Sequence, residues 1–178
     1  MASLIRFLLS NYFLTFFIVG LAAAALSLLR GPRPWTRTTI AEALLAYDLL
    51  FAIGLMNFYN FVMHVFFGAM AARFIGWADS PFQLEVATAS LGFALVGFIA
   101  AFRSFDLRLA AIIGPSVFTL GAAVGHVREM ITAHNFAPGN AGVIFYMDIA
   151  IPVIGGVLLA LQHRYGRPGP SRSVSATT

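Results

Sequence analysis

Five apolar runs, each about as long as a bilayer-crossing helix, dominate this chain and leave little else to fold. A hydrocarbon core of about 30 Å takes roughly 20 residues of helix. Runs bounded by arginine, proline or turn residues fall at about 7–29, 44–72, 82–102, 109–130 and 142–161. Of the 178 residues, 60% are hydrophobic and 10% charged, against about 25% charged in a soluble domain. That polar content cannot clothe a water-facing surface. The expected fold is an all-α integral membrane bundle of five transmembrane helices in one domain over residues 1–165. The composition then turns to Gly-Arg-Pro-Gly-Pro-Ser-Arg-Ser, and residues 166–178 read as a disordered cytoplasmic tail.

Residues 7–29 outrun the roughly 7–15 apolar residues of a secretory signal, so the first run is read as a retained helix. The second region starts near Ile40 and is longer than one span needs, which places Glu42 and Asp48 near the inner interface or tilts the helix. All the basic residues are arginine, and they lie between the apolar runs, a membrane-topology pattern that excludes nucleic acid as a partner. With five spans, Arg6, Arg73 and Arg128 share one side, while Arg30, Arg33, Arg37, Arg103, Arg108, Arg164, Arg167 and Arg172 share the other. Arginine-rich short loops stay cytoplasmic, which predicts the N-terminus out and the C-terminus in, across a bacterial inner membrane. The absence of cysteine excludes disulfides, iron–sulfur clusters and thiolate sites. No phosphate loop, nucleophile elbow or Ser/His/Asp arrangement is present.

Local motifs sharpen the boundaries. Ser80-Pro81-Phe82-Gln83 reads as a capping box opening the third helix. In Asn135-Phe-Ala-Pro-Gly-Asn-Ala-Gly142, Pro138-Gly139 suits a tight turn and Asn140 can cap the fifth helix. Gly121-Ala-Ala-Val-Gly125 permits close helix packing within the bundle, or against a partner. Pro115 and Pro152 lie inside helices and each removes one backbone donor.

Ionisable groups inside the spans carry the functional signal, because a central charge costs about 2.5–3.5 kcal/mol on insertion scales. His64, Glu85, His126, Glu129 and Asp148 all fall by helix parity in one layer, the outer half of the bilayer. At 100° per residue Asn57, Asn60 and His64 share a face, as do His126 and Glu129, whereas Asp48 is excluded as near the inner interface. His64, Glu85, His126 and Glu129 are therefore candidate ligands for a divalent metal, and Asn57, Asn60 and Asp148 candidate contacts to a polar cofactor. The Glu-x-x-His order of ferritin-like sites is reversed here and occurs once. Haem ligation by His64 and His126 and a proton or ion relay are further readings. So is a non-catalytic scaffold or accessory subunit whose polar layer is internal glue. Its partners would be the bilayer, further copies of the chain, or a membrane complex. A transporter is disfavoured, since no inverted repeat is evident.

The runs Ile75-Gly-Trp-Ala-Asp-Ser-Pro-Phe-Gln-Leu-Glu-Val86, Gly125-His-Val-Arg-Glu-Met130 and Asn135-Phe-Ala-Pro-Gly-Asn-Ala-Gly142 resemble a family of small bacterial multi-pass membrane proteins classed as a domain of unknown function. The resemblance covers about 57–161. It implies the fold and a membrane location and brings no mechanism with it. A looser likeness to four-helix DoxX-type membrane proteins implies, by analogy, a respiratory or redox setting.

Overall fold

Every regular element in the computed structural model, which describes residues 2–166, is helical. In order these are α1 (Ala2–Ser10), α2 (Tyr12–Arg30), α3 (Arg37–Tyr47), a π-helical segment (Asp48–Leu55), α4 (Met56–Phe66), α5 (Gly68–Ile75), α6 (Phe82–Ala100), α7 (Phe105–Thr132), α8 (Pro138–Ala141) and α9 (Val143–Tyr165). Five stretches are long and apolar enough to cross a membrane: Tyr12–Arg30, Arg37–Phe66, Phe82–Ala100, Phe105–Thr132 and Pro138–Tyr165. The all-α, five-span reading holds. Except for Gly166, the expected tail lies outside the described residues.

The second span departs most from expectation, at both ends. The second span starts at Arg37, not 44, because Thr36 and Thr39 form a reciprocal capping box that opens α3. It stops at Phe66, not 72. Phe67 leaves helical geometry at φ −131° and a separate helix, α5, follows. The middle of this span is π-helical, with i→i+5 bonding, which local sequence does not foretell. At Ser80 the expected capping box is absent: α6 begins after Pro81 with no side-chain cap, and Gln83 is used elsewhere.

α7 packs mainly on α9, and α4 and the π segment on α6. The central core joins Leu45, Leu49, Ile53 and Met56 of the second span to Ile112 of α7 and Ile151 of α9. Outward-facing Val117, Val124 and Ile131, at seven-residue spacing, make the lipid face of α7. Close helix contact falls at a different glycine pair from the Gly121/Gly125 motif. A Cβ on Gly97 would lie 3.0 Å from the Gly54 backbone nitrogen and 3.1 Å from the Leu49 carbonyl, whereas one on Gly121 would meet nothing within 4 Å. Gly97→Ala is expected to cost about 1–3 kcal/mol, since backbone cannot retreat as a side chain can. Gly121→Ala is expected to be neutral, or to gain up to about 1 kcal/mol from helix propensity. Thermal melts of the two variants in one detergent check the contrast.

At the cytoplasmic-side end predicted from sequence, Arg108 is almost fully buried and is held on all sides. Its guanidinium donates to both Glu42 carboxylate oxygens, Nη1 at 2.7 Å and Nη2 at 2.5 Å, and to the carbonyls of Ala100 and Ala101. Gln162 of α9 donates to the same carboxylate at 2.5 Å. This cluster ties together α3, the end of α6, the start of α7 and α9. Arg108 is thus an internal tie, not the loop charge that sequence assigned to the positive side.

Candidate functional site

The site is built around one buried asparagine. Asn140 of α8 is fully buried, and its side-chain amide donates to the carbonyls of His126 at 3.2 Å and Asn135 at 2.8 Å. Carbonyls only accept, so this nitrogen is fixed as Nδ2 and the other atom as Oδ1. Oδ1 faces Trp77 Nε1 at 3.0 Å and His126 Nδ1 at 2.7 Å. The indole can only donate, and Nδ1 must donate as well. Asn140 does not cap the last span, where Gly142 takes the N-cap position. It sets the tautomer of a histidine.

With its proton on Nδ1, the His126 ring turns Nε2 toward Asp148 Oδ2 of α9 at 3.4 Å. That is longer than an ordinary N–H···O bond of about 2.7–3.2 Å, and Oδ2 has no hydrogen-bond partner among the described residues. Two lone pairs facing each other across this gap would repel. The two groups, both buried, stand within ion-pair distance of each other and are close enough to exchange a proton. Trp77 lies against the imidazole with ring centroids 5.3 Å apart. On the helical rise, Asp148 stands about 7.5 Å into α9 and His126 about 9 Å from the end of α7.

Trp77, His126 and Asp148 border a cavity of about 200 Å³ at the end of the bundle where α7 stops and α9 begins. Its far wall carries Tyr12, Asn57, Asn60 and His64. A directed chain links three spans there: Tyr12 Oη donates to Asn60 Oδ1 at 2.8 Å, Asn60 Nδ2 to Ser90 Oγ at 2.9 Å, and Ser90 Oγ to the Val86 carbonyl at 2.8 Å. Asn57 spends its amide on the Ile53 carbonyl. His64 Nδ1 pairs with Gln83 Oε1, while Gln83 Nε2 donates to Gly68 O at 2.7 Å and Asp79 Oδ1 at 3.0 Å. The Gly68 carbonyl fixes the amide's orientation, so His64 Nδ1 donates and its Nε2 is left as an acceptor.

Of the residues expected from sequence, the cavity gathers His64, His126, Asp148, Asn57 and Asn60. Glu85 is exposed and Glu129 half-buried, and neither lines it. Among the described residues no group of three or more His, Asp or Glu converges as a metal site. The four-ligand arrangement of His64, Glu85, His126 and Glu129 is not formed. The reason is angular: Gln83, Val86 and Ser90 make the inward face of α6, which turns Glu85 outward.

Sequence reasoning missed Asn140, Trp77, Tyr12 and Gln83 as participants. The sequence marks Asn140 and Gln83 only as helix caps, and polar loop residues offer no periodicity to place them. Asp48 is expected from sequence near the inner interface. It lies 11 residues after Arg37, about 16 Å along the helix, and is buried with neither carboxyl oxygen partnered among the described residues.

The two loops that roof the cavity, after α5 and after α7, are sewn together by side chains. Asn135 Nδ2 donates to Ile75 O at 3.1 Å and Gly76 O at 3.2 Å, and Asn135 Oδ1 accepts from Ala137 N at 3.0 Å. Gly76 is at φ +78°, and Gly139 sits where a Cβ would lie 2.8 Å from the Phe74 carbonyl. Two of the three sequence runs singled out above are therefore the two halves of one roof. No curated protein and no solved structure matches the chain. Residues 10–168 match the family of unknown function DUF6790, and with most of its length inside that match the chain belongs to this family.

Proposed function

We propose that this multi-pass membrane protein binds a small, uncharged polar molecule in its outer-half cavity, with the His126–Asp148 pair able to give or take a proton at the bound molecule. The observation that carries the reading is the orientation of His126. One nitrogen is committed to Asn140, and the other is held 3.4 Å from an acid whose oxygen has no other partner. A general acid–base pair requires such an arrangement, an oriented imidazole beside a group with which it can exchange a proton. The remaining wall groups, Tyr12, Asn57, Asn60 and His64, suit carbonyl or hydroxyl oxygens. The same groups are poorly suited to a divalent cation, which seeks three or more converging anionic or imidazole ligands. A bacterial inner membrane, N-terminus out, is the setting we infer. Arg30, Arg33, Arg37, Arg103 and Arg164 crowd the end where α9 stops, against Arg73 and Arg128 at the other.

The reading is tested on detergent-purified protein by mass spectrometry of extracted small molecules alongside elemental analysis. Wild-type protein is expected to carry a compound depleted at least tenfold in Asp148→Asn and His126→Ala, with no stoichiometric metal. A stoichiometric ion lost from His126→Ala would overturn it in favour of a metal centre. The rival, a scaffold with a structural polar layer, draws support from how much of that layer bonds to itself. It predicts no enriched compound, and variants that change only the melting temperature.

A further inference from the structure

The polar cavity does not end in protein. A second, larger cavity of about 690 Å³ adjoins it, and Tyr12, Asn60, His64, Ile75 and Ile144 line both. The larger space lies between α1 and the start of α2 on one side and α4 and α5 on the other, and its wall is apolar apart from the shared boundary, Tyr59 and Ser10. Met63, Phe67, Met70 and Phe74 are among the residues of that wall, and Phe67 and Met70 are exposed on the outside of the bundle. The break at Phe67 falls at this cavity, where α4 ends and α5 starts as a separate helix, and both helices line it.

A hydrophobic channel leading from the acyl-chain region to a hydrogen-bonding chamber is shaped for one kind of molecule, a compact head on a hydrocarbon chain. The chemistry of the chamber narrows the head further. Neither cavity has an arginine in its wall, and this chain has no lysine, so a phosphate or carboxylate head would be buried without a cation. The polar wall groups donate to or accept from neutral oxygens. Phe13, Trp77, Phe82 and Phe118 add aromatic faces suited to a flat ring. We propose that the ligand is an uncharged, single-tailed or prenylated lipid with a planar head bearing carbonyl or hydroxyl oxygens, its head beside His126 and Asp148 and its chain in the groove between α1 and α5. This deepens the reading above and rests on it. The proposal is of binding alone.

Lipid tails are as apolar as the groove, so the chain adds direction of entry more than affinity, and its test is where the tail lies. The probe is a benzoquinone bearing a ten-carbon chain with a terminal photoreactive diazirine. Head binding is read from Trp77 fluorescence in Trp35→Phe protein, where Trp77 is the one remaining tryptophan. Tail position is read from the cross-linked peptides. Saturable quenching is expected, weakened at least tenfold in the near-isosteric Asp148→Asn variant and competed by the same ring without a tail. Cross-links are expected within 59–75 and at Leu9 or Ser10. Saturable quenching with cross-links scattered over the lipid faces, such as Val117 and Val124, would overturn this inference and leave the polar-pocket reading standing. Absence of saturable quenching, in wild-type-like folded protein judged by circular dichroism, would overturn both for this ligand class.

Discussion

Asn140→Ala is expected to be the most damaging single substitution at the cavity end of the bundle, at about 3–5 kcal/mol, as two or more partners lose their bonds at roughly 1–3 kcal/mol each. Four groups depend on this one amide: Trp77 Nε1, His126 Nδ1, and the carbonyls of His126 and Asn135. Asn140 itself is fully buried and His126 nearly so, so water cannot easily replace the lost partner there. Asn140→Asp is a more informative companion. It keeps an acceptor for Trp77 and His126 but loses the two donors, leaving the carbonyls of His126 and Asn135 against a carboxylate. It should destabilise while holding the His126 ring in place. Denaturant titration in mixed micelles, scored by Trp77 fluorescence, measures both. If Asn140→Ala costs no more than a surface substitution of about 0.5 kcal/mol, the hydrogen-bond roof is not holding this end.

The second large effect belongs to the opposite end and is asymmetric. Glu42→Ala should cost about 2–3 kcal/mol, below the roughly 3–5 kcal/mol of breaking a fully buried pair because solvent already screens the half-exposed carboxylate. Arg108, with its side chain 2% exposed, has nowhere to take its charge, whereas Glu42, at 50%, can reach the interface when Arg108 is removed. The charge cost therefore falls mainly on loss of the acid. Arg108→Met, which keeps much of the volume but gives up bonds to Ala100 O and Ala101 O, is expected to cost less than Glu42→Ala. The double variant Glu42→Ala/Arg108→Met should recover part of the Glu42→Ala loss, since no buried charge remains. Additive losses would mean that the pair is not coupled.

Where the chain was legible, the information was local. Length and apolarity mark a span without reference to any neighbour, and on that basis the five spans and the all-helical fold could be read directly. Parity then placed His64, His126 and Asp148 at one height, and the cavity unites them. What failed depended on angles and on neighbours. His126 and Glu129 are three residues apart, about 60° around the helix. At the edge of a bundle that is enough to bury the first and leave the second half-exposed. Asp48 lies further along the second span than the apolar run suggests, because α3 begins at Arg37, seven residues before that run. The π-helical stretch packs on α6, and neither it nor the break at Phe67 leaves a trace in composition. Asn140 shows the limit most clearly. Asparagine after Pro-Gly is ordinary turn chemistry, and only the fold reveals that its amide orients a histidine fourteen residues earlier.

The account turns on one imidazole, held by Asn140 on one side and facing Asp148 on the other. Nitrogen-15 magnetic resonance of histidine-labelled protein in bilayers observes it directly, with His126→Gln assigning its signals among the four histidines. A protonated, hydrogen-bonded Nδ1 is predicted to persist on Asp148→Asn while the Nε2 signal moves. Water-like signals from both nitrogens, unmoved by that substitution, would contradict it.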